Sequence, residues 1–150
     1  VGDDHWGTVI LDEYGEYGVD TSHVVVEKGA TSPCVVVLVE VGTGERVFMV
    51  LPSNLSPHKL TEEEKGYIQN SKLVFIAGWG DDVVKAAKLA KEASIPVLID
   101  GLATEDLKGL VDVAICGEEH AYMATHTKDP LRAIEKLSKS GYHIVGITVC

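Results

Sequence analysis

Between Lys72 and Val149 the sequence alternates short apolar runs with segments of helical period, and this alternation restricts the fold more than any other feature. Leu73 to Ala77, Ile95 to Ile99, Val111 to Ile115 and Ile144 to Val149 are runs of strand length dominated by apolar side chains. Between them, Asp82 to Ala93 sets Val83, Val84, Ala87 and Ala90 on one helical stripe, and Glu119 to Thr125 and Pro130 to Ser140 also read as helices. Strands apolar on both faces and separated by helices predict a parallel sheet covered on both sides. The expected class is α/β.

The first third is patterned differently. Trp6 to Tyr17 places Val9, Ile10, Leu11 and Tyr14 at helical spacing, with Gly15 or Gly18 to end the helix. Val24 to Val26, Cys34 to Val41 and Val47 to Leu51 are rich in β-branched residues, and Lys28-Gly29 and Gly42 to Glu45 between them are turn material. They predict a three-stranded antiparallel unit too small to be stable without support. Pro52, Pro57 and an acidic helix start at Thr61 to Glu64 lead away from it.

The 150 residues suffice for one real core and a small appendage. No apolar run approaches the roughly 18 to 20 residues that span a bilayer, and no basic segment followed by an apolar one opens the chain. The three cysteines, Cys34, Cys116 and Cys150, form no C-x-x-C pair, so a reducing cytoplasmic setting, or an organelle whose targeting segment is absent from the sequence, is expected. A net charge of −10 repels a phosphate backbone, which disfavours nucleic acid as a partner. The run Ile144 to Val149 stops without a turn, a cap or a polar tail, so the chain is expected to be part of a longer protein; the alternative is a natural short one.

In a parallel sheet, ligands bind beyond the carboxyl ends of the strands. Four exits converge there: Gly78-Trp79-Gly80, Asp100-Gly101, Cys116 to Glu119, and Thr148 to Cys150. Glycines permit close approach, and carboxylates can hold Mg²⁺ through one or two oxygens and water. A phosphorylated ligand with a hard cation is the expected occupant; taken singly, each turn is also explained by geometry alone. Asp81 and Asp82 argue against a phosphate loop at Gly78 to Asp82 and read as helix caps. Neither G-x-G-x-x-G nor G-x-x-x-x-G-K-[ST] occurs, so the Rossmann dinucleotide and P-loop readings lack their central element. Cys116, Glu119, His120 and His126 match no common zinc spacing, and Cys34 reads as a small hydrophobe within a strand.

The landmarks V-G-D-D-H-W-G at Val1 to Gly7, G-V-D-T-S at Gly18 to Ser22, G-E-R at Gly44 to Arg46 and L-I-D at Leu98 to Asp100, followed by the strand and helix alternation, resemble the middle of a pfkB (ribokinase-like) sugar kinase. The resemblance covers nearly the whole chain and about half of such a kinase. The family's Gly-Gly-Asn substrate motif would precede Val1. Its Gly-Ala-Gly-Asp motif, with the catalytic base, would follow Cys150.

What the resemblance implies is a doubly wound, mostly parallel sheet with a small antiparallel β lid. Residues 1–23 and 52–150 would form the large-domain portion and 24–51 the lid. The implied activity is transfer of the ATP γ-phosphoryl group to a hydroxyl of a sugar or nucleoside, with ATP and Mg²⁺ bound. Ser32 and Cys34 at the lid, with Gly78 and Asp100, would meet the substrate. Gly117, Thr148 and Cys150 would meet the nucleotide, Thr148 standing for the threonine of a T-x-G turn whose glycine is here Cys150. The N-x-x-E motif falls at Gly117 to His120, so Glu118 and Glu119 are the carboxylates left for metal. A homodimer through the lid is also implied, and this chain alone is expected to be inactive. The alternative is a non-catalytic ribokinase-like binding or dimerisation module. A stand-alone Rossmann-like domain would leave Val24 to Leu51 without a role.

Overall fold

The structure is a computed structural model and describes residues 1–78 and 80–149. The chain separates into two compact units, Val1–His58 and Lys59–Cys150.

In the first unit, α1 spans His5–Glu16. It begins where Asp4, in extended conformation, accepts a hydrogen bond from the Gly7 N–H with its side chain, satisfying one of the helix's unpaired donors. Two strands follow, β1 (Cys34–Val39) and β2 (Arg46–Leu51), paired antiparallel from Cys34 opposite Leu51 to Val39 opposite Arg46. Their connection closes with Glu40 N–H donating to Glu45 O at 2.9 Å and with Gly44 at φ +75°, a conformation that favours glycine. Every residue of the hairpin except Cys34 is exposed, although nearly all are apolar.

The expected third strand is not formed. Val24 to Val26 have the composition of a strand, but the Val24 N–H closes a turn onto Thr21 O at 2.9 Å, and Glu27 makes a lone parallel bridge to Gly2. The Glu27 carboxylate is taken by Ser56, whose N–H and hydroxyl donate to it at 2.8 and 2.7 Å. Local hydrogen bonding has overridden β-propensity, and the antiparallel sheet of the described residues has two strands.

The second unit follows the predicted alternation. Helix α2 (Glu62–Gln69) starts with a reciprocal capping box between Thr61 and Glu64. Then come β3 (Val74–Ile76), α3 (Asp81–Glu92), β4 (Val97–Asp100), a 3₁₀ turn at Glu105–Leu107, β5 (Val113–Gly117), α4 (Glu118–Thr125), α5 (Pro130–Leu137) and β6 (Ile144–Thr148). The four strands lie in the order β3-β4-β5-β6, all parallel. Asp81 and Asp82 are not caps, as their sequence suggested. Gly80 occupies the cap position without a side-chain bond, and the two aspartates sit in the first turn, where they complement the helix dipole.

One face of this sheet carries the core. Ile76, Val97, Ile99 and Ala114 pack against Ala87 and Ala90 of α3, and Cys116 packs against Ala121 of α4 and Ala133 and Leu137 of α5. The opposite face presents Phe75, 58% exposed, and Ile144, 60% exposed. Coverage on both sides was expected, and within this unit it exists on one. The reason is topological: strands that succeed one another in a single direction, joined by crossovers of one hand, lay all their helices on the same side.

At the amino end of the sheet Asp112 is buried and ties three strands together. Its carboxylate accepts from Lys91 Nζ at 2.8 Å and the Val97 N–H at 2.9 Å, and His143 Nδ1 lies 3.2 Å away. Its carbonyl accepts from the N–H groups of His143 and Ile144. Burial pushes this carboxyl's pKa up, but the Lys91 ammonium and the Val97 N–H outweigh burial and hold it below the ordinary range.

Candidate functional site

At the opposite, carboxyl end of the sheet, the exits of β3 and β4 open into a cavity of about 600 Å³, a volume usual for small-molecule sites. Gly78 lines it at the β3 exit. Asp100 and Gly101 line it at the β4 exit, where Gly101 turns the chain at φ +119° and donates its N–H to Ile115 O at 2.6 Å. Leu102, Thr104 and Leu107 line it after β4, and His120, Met123 and Ala124 line it from α4. Two of the sequence-derived substrate residues, Gly78 and Asp100, are therefore brought together. Asp100 is exposed, so its carboxylate is available to a ligand.

Sequence reasoning missed His120 and Met123 as lining residues. A signal was present, since His120, Met123 and Ala124 stand at the i, i+3, i+4 spacing that shares one helix face, directly after a strand exit.

Gly117 and Thr148 pair directly across β5 and β6, and the Thr148 hydroxyl reaches Cys116 O at 3.4 Å. Neither exit lines the cavity; β5 neighbours β4, and β6 lies one strand further away. Cys116 beside them is buried, and burial pushes its thiol's pKa up, so it behaves as a core group. Cys150 and Trp79 lie outside the described residues.

Glu118 and Glu119 open α4. Successive helix positions do not face each other, and Glu118 accepts a hydrogen bond from the Tyr122 hydroxyl at 3.1 Å. Partial desolvation and this neighbouring carboxylate raise the Tyr122 pKa. Among the described residues no group of three metal-ligating side chains converges. The pair therefore does not fit a direct metal cage.

Ser32 and Cys34 belong to the first unit. Ser32 is 1% exposed and its hydroxyl is engaged on both sides, donating to Asp4 and accepting from the Gly2 N–H. Cys34 is half-buried at the start of β1, opposite Leu51.

A four-stranded parallel sheet with glycine turns at its carboxyl edge, together with a separate antiparallel hairpin, defines a ribokinase-like α/β fold. The Arabidopsis thaliana ribokinase complexed with ribose and ATP is similar with a TM-score of 0.77 at 19% identity, over 98% of this chain and 53% of that one. The Halothermothrix orenii fructokinase gives 0.78 at 16% identity, over 99% and 60% of the two chains. The Anopheles gambiae adenosine kinase gives 0.76 at 18% identity, over 99% and 52%. No curated protein sequence matches the chain. The sequence pattern of the pfkB family carbohydrate kinases matches residues 1–148. The chain belongs to that family, and it spans little more than half the length of these solved relatives.

Proposed function

We propose that the protein to which this chain belongs transfers the γ-phosphoryl group of ATP to a hydroxyl of a sugar or nucleoside. The observation that carries this reading is the cavity at the β3 and β4 exits, with Asp100 at its mouth, in a chain of the pfkB family. The acceptor hydroxyl oxygen bonds to the γ-phosphorus while the bridging oxygen leaves with ADP, and the hydroxyl proton passes to a base. Asp100 and Gly78 would border the acceptor. Gly117 and Thr148, with Cys150, would border the ATP phosphates, where backbone groups can approach closely. The β1–β2 hairpin, with Ser32 and Cys34 at its root, would act as a lid that excludes water from the reacting group.

Magnesium is expected with ATP, but Glu118 and Glu119 offer it no direct cage and no step is assigned to it. No helix among the described residues is long and apolar enough to cross a membrane, and a cytoplasmic enzyme is proposed. The exposed apolar hairpin supports pairing with a second lid and hence a homodimer. The same exposure suits the rival reading, a module that dimerises without catalysis.

The full-length protein, supplied with ATP and a panel of sugars and nucleosides, should form ADP in an acceptor-dependent way. Asp100→Ala should lower kcat/KM at least about tenfold with the fold intact, as for loss of a substrate-binding hydrogen bond. Acceptor-independent background alone, from a folded dimer, would instead favour the module. The isolated 150-residue chain is proposed to be inactive, and sugar-dependent ADP formation by it would refute this.

A further inference from the structure

Resting on the kinase reading, we infer that Tyr142, which does not itself line the cavity, is a positioning residue for the acceptor: its hydroxyl holds residues 102–104, which carry part of the lining. The Ala103 N–H donates to Tyr142 Oη at 3.0 Å, across 39 residues of sequence. Both neighbours of Ala103, Leu102 and Thr104, line the cavity, and Leu107 lines it at the end of the 3₁₀ turn.

This stretch of the lining is held by something other than a helix. Residues 101–112 return the chain from β4 to β5 with a 3₁₀ turn where a crossover helix would have satisfied its own backbone. The Gly101 N–H is fixed to Ile115 O at 2.6 Å and the Leu107 N–H to Thr104 O at 3.0 Å. Ala103 stands between these anchors, and its amide is tied across to the turn that enters β6. Tyr142 is itself fixed there. Gly141 turns the chain at φ +94°, His143 donates its N–H to Asp112 O at 2.8 Å, and the Tyr142 ring packs against the same core cluster as Leu102 and Ala103. Thr104 makes no side-chain cap bond to the 3₁₀ turn, which leaves its hydroxyl to meet a hydroxyl of the acceptor. With residues 102–104 held in place before the ligand arrives, binding does not have to order them.

The test compares wild type and Tyr142→Phe in the full-length protein, by steady-state kinetics with ATP and the best acceptor of the sugar and nucleoside panel, and by hydrogen exchange. The variant keeps the ring and loses the hydroxyl. It is expected to raise the acceptor KM about three- to tenfold, the equivalent of one net hydrogen bond, and to leave kcat and the KM for ATP within about twofold. Exchange of the Ala103 amide should quicken at least about tenfold while β5 exchanges as in wild type. Ile68→Ala, which cuts the same core from α2 away from the lining, should lower the melting temperature without moving the acceptor KM. An acceptor KM unchanged in Tyr142→Phe, or raised as much in Ile68→Ala, overturns the inference and leaves Tyr142 a core residue. Thr104→Val removes the hydroxyl that Tyr142 positions. It should raise the acceptor KM by a similar factor, and the double variant should fall short of the product of the two effects. An unchanged KM in Thr104→Val counts against residues 102–104 as the element through which Tyr142 acts. Absence of acceptor-dependent turnover in the wild type overturns the kinase reading instead.

Discussion

Asp4 and Ser32 are joined by two hydrogen bonds: the Ser32 N–H donates to Asp4 Oδ2 at 2.9 Å and the Ser32 hydroxyl to Asp4 Oδ1 at 2.8 Å. The same carboxylate caps α1 through the Gly7 N–H at 2.8 Å. One side chain thus fixes both the start of the helix and the approach to β1. The bond from Gly7, then that from the Ser32 hydroxyl, holds the Asp4 pKa below the ordinary carboxylate range.

Removing the buried hydroxyl should therefore be felt. Ser32→Ala leaves the Gly2 N–H without its acceptor and is expected to cost about 1–2 kcal/mol in urea unfolding of the first unit. A change below about 0.3 kcal/mol would show that water replaces the hydroxyl without penalty.

Two glycines of α1 should respond in opposite directions. A Cβ on Gly7 would lie 2.0 Å from the Gly2 carbonyl oxygen, whereas one on Gly15 meets nothing within 4 Å. Gly7→Ala should destabilise by roughly 2–3 kcal/mol through overpacking. Gly15→Ala should stabilise by about 0.5–1 kcal/mol through helix propensity. Thermal melts of the two variants side by side decide it, and equal effects would contradict the packing described.

Acid should loosen the second unit through Asp112. Its folded pKa is depressed, so its stabilisation is complete above its unfolded value and is lost as pH falls through the folded one, in a window below about pH 4. Asp112→Asn should cost roughly 2 kcal/mol at pH 7, with Lys91 partly exposed and its share screened, and should flatten the pH dependence below 4. Equal acid sensitivity in wild type and variant would remove Asp112 from the account.

The uncovered sheet face should make the isolated chain adhesive. Phe75→Asn with Ile144→Thr is expected to lower fluorescent-dye binding and light scattering of the 150-residue chain. Unfolding free energy should shift by no more than about 0.5 kcal/mol, since both side chains are largely in solvent. Undiminished scattering would place the adhesive surface elsewhere, the β1–β2 hairpin being the next candidate.

The parallel unit was legible because period and composition agreed over long stretches, as in Asp82 to Ala93 and Ile144 to Val149, where observed bounds differ by one residue. Val24 to Val26 misled because strand composition says nothing about which partner is within reach. β5 runs two residues further than Ile115, through Cys116 and Gly117, since pairing with Ile147 and Thr148 extends it. In the site, Gly78 and Asp100 were visible as strand exits. His120 was overlooked: its i, i+3, i+4 spacing with Met123 and Ala124 marks a shared helix face, but that this face meets the cavity follows from packing.

The order of the strands in the second unit also bears on how it is made. From β4 onward each strand pairs with the one that precedes it along the chain, so the sheet can be laid down from β3 as the polypeptide leaves the ribosome. Among the described residues no strand must wait for a distant segment, and the nascent unit accretes its helices on one side while Phe75 and Ile144 remain open on the other.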